Sequence, residues 1–217
     1  MAQDVSLTNA TRHESSVTDE QKAYDVKTSL PPETAEAVSE FEALTNSKII
    51  AYETAVNFAK ERKPSFDLVH VLPGLMQGAS ELHETAEEME QGFNKATIDT
   101  ALGKIIGMPK RTAQILQQDV ARVHVLALDH KLVRNLDNLV VVANDGRGIP
   151  WDEMVETIKR CYPKEVEDGI LRPTKGQQNS TKRYDVRSTH QVLGVGFSDA
   201  VCIVRSVMDQ YLQLRGK

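Results

Sequence analysis

Apolar residues return at helical spacing along 35–60 and then crowd into a short β-branched run at 66–72. No Gly or Pro interrupts 35–60, and most of its residues favour helix. Phe41, Leu44, Ile49, Tyr52, Val56 and Ala59 recur at intervals of three to five. They make an apolar stripe able to lie on a sheet. Pro64 breaks the pattern. The run at 66–72 predicts a buried strand, which Pro73 and Gly74 end. Helix, break, strand and turn form half of a βαβ unit. In open α/β sheets, ligands sit at the carboxyl ends of the strands.

The remaining pattern continues the alternation. Residues 97–106 predict a small amphipathic helix stopped by Gly107 and Pro109. Residues 119–128 predict another, with Asp119 as its N-cap. Residues 138–143 read as a buried strand, ended by the turn Asn144-Asp145-Gly146. A helix follows from Pro150 and stops before Pro163. The last helix, 198–214, carries Val201, Val204, Val207, Met208, Tyr211 and Leu212 at core spacing. Residues 1–32 are polar, hold no strand of useful length, and predict a disordered lead-in.

Composition narrows the classes. The chain has 217 residues, 40% of them apolar, enough to bury a core. A net charge of −5 and a pI of about 5.7 exclude a nucleic-acid partner as the expectation. The one basic cluster, 175–187, reads as a solvated loop. No apolar run reaches the length of a membrane span, and no signal-peptide core opens the sequence. Cys161 and Cys202 lack metal spacing and predict reduced, buried, cytoplasmic thiols. The acidic stretch 81–90, with His83, admits a metal reading but reads better as a solvated helix or lid. His124 reads as a packed histidine on an apolar face rather than a catalytic one.

The order of these features resembles the extended short-chain dehydrogenases/reductases, in the dihydroflavonol-reductase-like and epimerase/dehydratase-like branch. Asn46-Ser47-Lys48, Lys63-Pro64-Ser65-Phe66-Asp67-Leu68-Val69, Pro73-Gly74-Leu75-Met76-Gln77-Gly78 and Asp119-Val120-Ala121 with His124-Val125 carry the likeness. It covers about residues 30–214. Tyr184-Asp185-Val186 with Leu193-Gly194-Val195-Gly196-Phe197 belongs to it, and there the resemblance implies a strand leading to a short helix and a turn. The resemblance implies an oxidoreductase using NADP or NAD on a small-molecule ketone or aldehyde, in secondary metabolism. It implies Lys48 as the catalytic Lys that holds the nicotinamide ribose. It also implies Pro73, Gly74 and Leu75 beside the nicotinamide, and 79–92 over the substrate. In the family a Tyr precedes that Lys by one helical turn, where i and i+4 share a face and the cation favours the phenolate. Here that position is Leu44. Tyr52 is a remote substitute for the missing phenol. Ser16 matches weakly the substrate-binding Ser of the family, and 30–33 the loop into the helix.

No glycine-rich dinucleotide turn occurs anywhere in the sequence, so the resemblance implies the C-terminal portion of such a reductase, truncated or impaired. The expected fold is α/β, a partial Rossmann-type, doubly wound sheet plus a small mixed α/β substrate domain. The expected units are a lead-in at 1–32, the Rossmann-like part at 33–78, and a substrate-side domain at 79–217 with elements returning to the core. An open edge on the strand at 68–72 predicts self-association. The rival expectation is a non-catalytic relative that binds a ligand or a partner chain.

Overall fold

The structure, a computed structural model, describes Ala2–Asp4 and residues 40–216, with side chains from 43 onward. The expected serine strand end near Ser16 and the loop at 30–33 lie outside the described residues. In chain order the elements are β1 (Ala2–Asp4), α1 (Glu40–Arg62), β2 (Val69–Pro73), β3 (Leu75–Gln77), α2 (Ala86–Met89) and α3 (Lys95–Ala101). Then come β4 (Lys110–Arg111), β5 (Gln114–Leu116), α4 (Gln117–Leu126), β6 (Asn138–Val141) and α5 (Trp151–Cys161). The chain ends with α6 (Pro163–Glu167), β7 (Asn179–Ser180), α7 (Arg187–Leu193) and α8 (Ala200–Arg215).

The strands form one three-stranded parallel sheet, β1-β2-β6, and two small parallel pairs, β3-β5 and β4-β7. The fold is therefore α/β, as the alternation of patterns predicts. Strand β2 is not an edge. It pairs with β1 through Gln3 opposite His70, and with β6 through His70 opposite Asn138. The open edge expected at 68–72 is thus a correction. The strand from 138 returns beside it, which a local pattern does not reveal.

Period-two alternation splits the sheet into two faces. Val69, Val71, Leu139 and Val141 join the main core with Ile115, Val123, Trp151, Met154, Ile203, Val207 and Met208. Leu72, Val140 and Val142 face the other way, with Ala113, Tyr184 and Val186, and Tyr52 of α1 packs against them. Helix α1 therefore roofs the second face.

Local chemistry fixes the helix ends. Helix α5 places Asp152 and Glu153 in its first turn and Lys159 and Arg160 in its last, both favourable to the helix dipole. Helix α8 begins at Asp199, whose carboxylate accepts from the Cys202 N–H at 3.0 Å. Asp119 is not the N-cap of α4. The cap is Leu116, and Asp119 sits in the first turn. There its carboxylate accepts from the Ser198 N–H at 2.7 Å and from Arg122 at 3.0 Å. It ties α4 to the start of α8 instead. The thiols also depart from expectation: Cys161 is half-buried and Cys202 exposed, both unbridged.

Candidate cofactor and substrate site

Two aromatic rings set the level of α1 on the sheet. Tyr52 stands against His70 with ring centroids 4.6 Å apart. Helix α1 ends at Arg62 and β2 starts at Val69, so a short link turns the chain back antiparallel. Lys48 precedes Tyr52 by one turn, about 6 Å along the helix. Leu72 follows His70 by about 6.6 Å along the strand. Lys48 is therefore level with Leu72, at the carboxyl end of β2. It is half-buried, and no hydrogen bond or ion pair holds its ammonium among the described residues.

The strand end beside it is tightly built. The Gly74 N–H donates to the Val141 carbonyl at 2.9 Å, and the Leu75 N–H to the Ala113 carbonyl at 2.6 Å. At Gly74 the chain leaves its partner β6 and enters the β3-β5 pair. A Cβ at Gly74 would run into the Ala113 carbonyl oxygen. The glycine is required by its own backbone neighbour, so the space is not a cradle kept for a ligand. Pro73 is buried, while Gly74 and Leu75 are half-exposed.

Beyond β3 the expected substrate cover is pinned. Asn94 accepts from the Gly78 N–H at 2.9 Å and donates back to its carbonyl at 2.7 Å. The Ala79 N–H donates to Ser206 and the Ser80 N–H to Gln210, each at 2.9 Å. Helices α3 and α8 thus hold the start of 79–92. Its acidic stretch forms α2, entered by a capping box between Thr85 and Glu88. Met89 is buried, and the Tyr211 hydroxyl donates to Glu90 at 2.7 Å. No group of three metal-ligating side chains occurs among the described residues.

Leu44 is 50% exposed and has no proton to give. Tyr52 lies one turn after Lys48, as Leu44 lies one turn before it. Its ring faces the sheet, burial pushes its hydroxyl upward, and the Asn138 side chain donates to it, a weaker downward pull. His124 is a packed helical histidine, with Nδ1 2.8 Å from the Val120 carbonyl.

Sequence reasoning missed His70. It is fully buried, both ring nitrogens lack partners among the described residues, and burial lowers its pKa. The signal was its even spacing with Leu72 inside a β-branched run. A cleft of about 370 Å³ at the carboxyl end of β6, lined by Asp145, Glu153, His190 and Phe197, was also missed. The turn Asn144-Asp145-Gly146 was its only trace.

No family model matches the sequence. A ketoreductase of Cercospora beticola is 34% identical over 176 residues, 78% of this chain and 48% of the relative. A ketoreductase of Aspergillus fumigatus is 28% identical over 178 residues, 77% of this chain and 48% of the relative. The chain spans about half the length of the curated relatives it matches. Among solved structures, yeast methylglyoxal/isovaleraldehyde reductase, complexed with NADPH, superposes with a TM-score of 0.64 at 19% identity. The match covers 85% of this chain and 56% of that one. A UDP-glucuronic acid 4-epimerase of Bacillus cereus, in complex with NAD, gives 0.62 at 12% identity over 100% of this chain and 61% of that one. Over most of its own length the chain is thus similar in sequence to ketoreductases and shares the α/β fold of these reductase and epimerase structures.

Proposed function

We propose that this chain supplies the substrate-side portion of an NAD(P)-dependent ketone or aldehyde reductase acting in secondary metabolism. The observation that carries the reading is Lys48, half-buried, level with the carboxyl end of β2, and with no partner for its ammonium among the described residues. Ligands sit at that end of a parallel sheet. The ketoreductase relatives, matched over most of this chain, support the substrate class.

The residues present fit one side of the cofactor. Lys48 offers a cation to ribose hydroxyls, and Pro73, Gly74 and Leu75 form the adjoining wall. The glycine-rich turn that exposes N–H groups to a pyrophosphate is not among the residues of this sequence. A bound dihydronicotinamide supplies hydride to a carbonyl carbon. Lys48 orients the ribose and stabilises negative charge nearby. Leu44 has no proton to donate, so an alkoxide formed there would take its proton from water. The pinned segment 79–92 bounds the substrate. The free thiols Cys161 and Cys202 support a cytoplasmic setting.

Leu44 favours a second reading, a non-catalytic relative that binds a carbonyl ligand. Reduced nicotinamide mononucleotide, which lacks the adenosine half, tests the first. Calorimetric titration should give weak binding, at about millimolar Kd, that Lys48→Ala abolishes. No binding, or binding indifferent to Lys48→Ala, would reject the role of Lys48.

A further inference from the structure

His70, the second residue of β2, is fully enclosed, and the proposed site does not use it. Among the described residues neither ring nitrogen has a hydrogen-bond partner. Tyr52 of α1 covers the ring at 4.6 Å between centroids, with the planes tilted by 58°. Asn138, its register partner on β6, hydrogen-bonds the Tyr52 phenol while its own Oδ1 stays buried and unpartnered.

Among the described residues no charged side chain compensates the ring. Helix α1 presents Tyr52 and β6 presents Asn138, and the backbone of β1 pairs on the other side, Gln3 opposite His70 in register. Asp137 gives His70 only its backbone carbonyl, at 2.9 Å, and its carboxylate accepts from the Arg134 N–H. Burial is the cause that lowers the His70 pKa. A neutral imidazole is tolerated here as a flat seat for Tyr52. A protonated one carries a unit charge and two N–H donors into a space without an anion.

We infer that His70 is an acid-sensitive seat for α1, and that a proton taken up from solvent by its imidazole releases the Tyr52 turn of the helix together with Lys48. The free acceptor beside the ring gives the second arrangement. Asn138 Oδ1 turns to the imidazolium, and the same movement withdraws the Asn138 amide from the Tyr52 hydroxyl. Lys48, one turn away, loses its level against Leu72. The consequence for ligand binding rests on the reading of Lys48 given above; the seat itself does not.

Hydrogen exchange of the intact chain tests this without any ligand. Rates are compared at about pH 7.5 and about pH 5, either side of the ordinary histidine value of about 6.5, after correction for intrinsic exchange. Amides of α1 around Tyr52 should open about tenfold more readily at the acid pH, because the imidazole holds its proton better once released into solvent. Amides of α8 should not change. His70→Phe keeps an aromatic seat and should remove the response. An α1 that responds no more than α8, or a response that survives His70→Phe, overturns the inference. If His70→Phe fails to fold, the wild-type imidazole is titrated by nuclear magnetic resonance. The Tyr52 ring and Asn138 amide signals should move with the His70 titration, and their indifference to it would equally overturn the seat. None of these readouts uses reduction, so loss of the reductase reading leaves them intact.

Discussion

Tyr52 lies tilted on His70, with its hydroxyl turned to Asn138 and not to the carboxyl end of the sheet. A general acid must come within hydrogen-bond reach of the substrate oxygen, and this phenol points the other way. Tyr52→Phe should therefore leave any carbonyl reduction by the chain unchanged. It should lower unfolding stability by about 1–2 kcal/mol, since it removes one hydrogen bond and leaves the Asn138 amide unpaired. Urea unfolding of the two proteins checks the second half. A large loss of turnover with intact stability would restore Tyr52 as an acid.

Gly74 makes a prediction of a different kind. The backbone of Ala113 occupies the space where a side chain would begin. The neighbouring Leu75 N–H donates to the same carbonyl. Gly74→Ala must push β2 away from the β3-β5 pair, and overpacking against backbone relaxes poorly. A loss of about 2–4 kcal/mol is expected. A melting temperature within a degree or so of the parent would mean that the strand end gives way easily.

The long periodic segments were legible. The stripe of 35–60, the β-branched runs and the apolar face of the last helix each carry enough repeats to name their element. Strands β1, β4 and β7 were not, because two or three residues hold no period. The place of β2 was misread for a non-local reason: only the return of β6 shows that it has neighbours on both sides. Asp119 looked like a cap from its position before an apolar run, but Ser198 claims its carboxylate from far along the chain. The strand end at Pro73 and Gly74 was legible as the stop of an apolar run, whereas Lys48 was singled out by resemblance and not by any local pattern. His70 was not, because alternation assigns it a face without saying that Tyr52 and Asn138 close over it.

Lys110 gives a pH dependence whose sign can be worked out. Its ammonium stands 4.0 Å from the centre of the Trp151 ring and donates to the Ala96 carbonyl at 2.9 Å. Burial nevertheless outweighs these contacts, and its pKa is pushed down to about 8 from 10.5. Below about 8 both folded and unfolded states hold the proton, and the cost of burying the charge is fully present. Between about 8 and 10.5 the unfolded state binds more protons, so stability rises with pH. Wild type should gain on Lys110→Met across that window by about 1–2 kcal/mol, after allowance for partial solvent screening. Comparing the two proteins cancels the phenols of Tyr162 and Tyr211, which burial and nearby carboxylates raise. A flat difference would mean that the ammonium is better solvated than its place over Trp151 indicates.

Leu44 carries the last prediction. It lies one turn before Lys48 and is half-exposed, so Leu44→Tyr needs no core space and should change stability by no more than about 0.5 kcal/mol. The new phenol shares a helix face with Lys48, whose cation favours the phenolate. Absorbance titration should therefore show one added tyrosine ionising below the ordinary value of about 10. Lys48→Met in the same background should return it to that value. This readout needs no cofactor and tests the pairing alone. If Lys48 holds the nicotinamide ribose, Leu44→Tyr should also raise ketone reduction with NADPH by about 10²-fold or more, the lower range for a positioned general acid. A phenol that pairs with Lys48 but brings no gain in reduction would separate the two readings in favour of a non-catalytic ligand binder. A phenol that titrates normally, and shifts no further on Lys48→Met, would remove Lys48 from the site altogether.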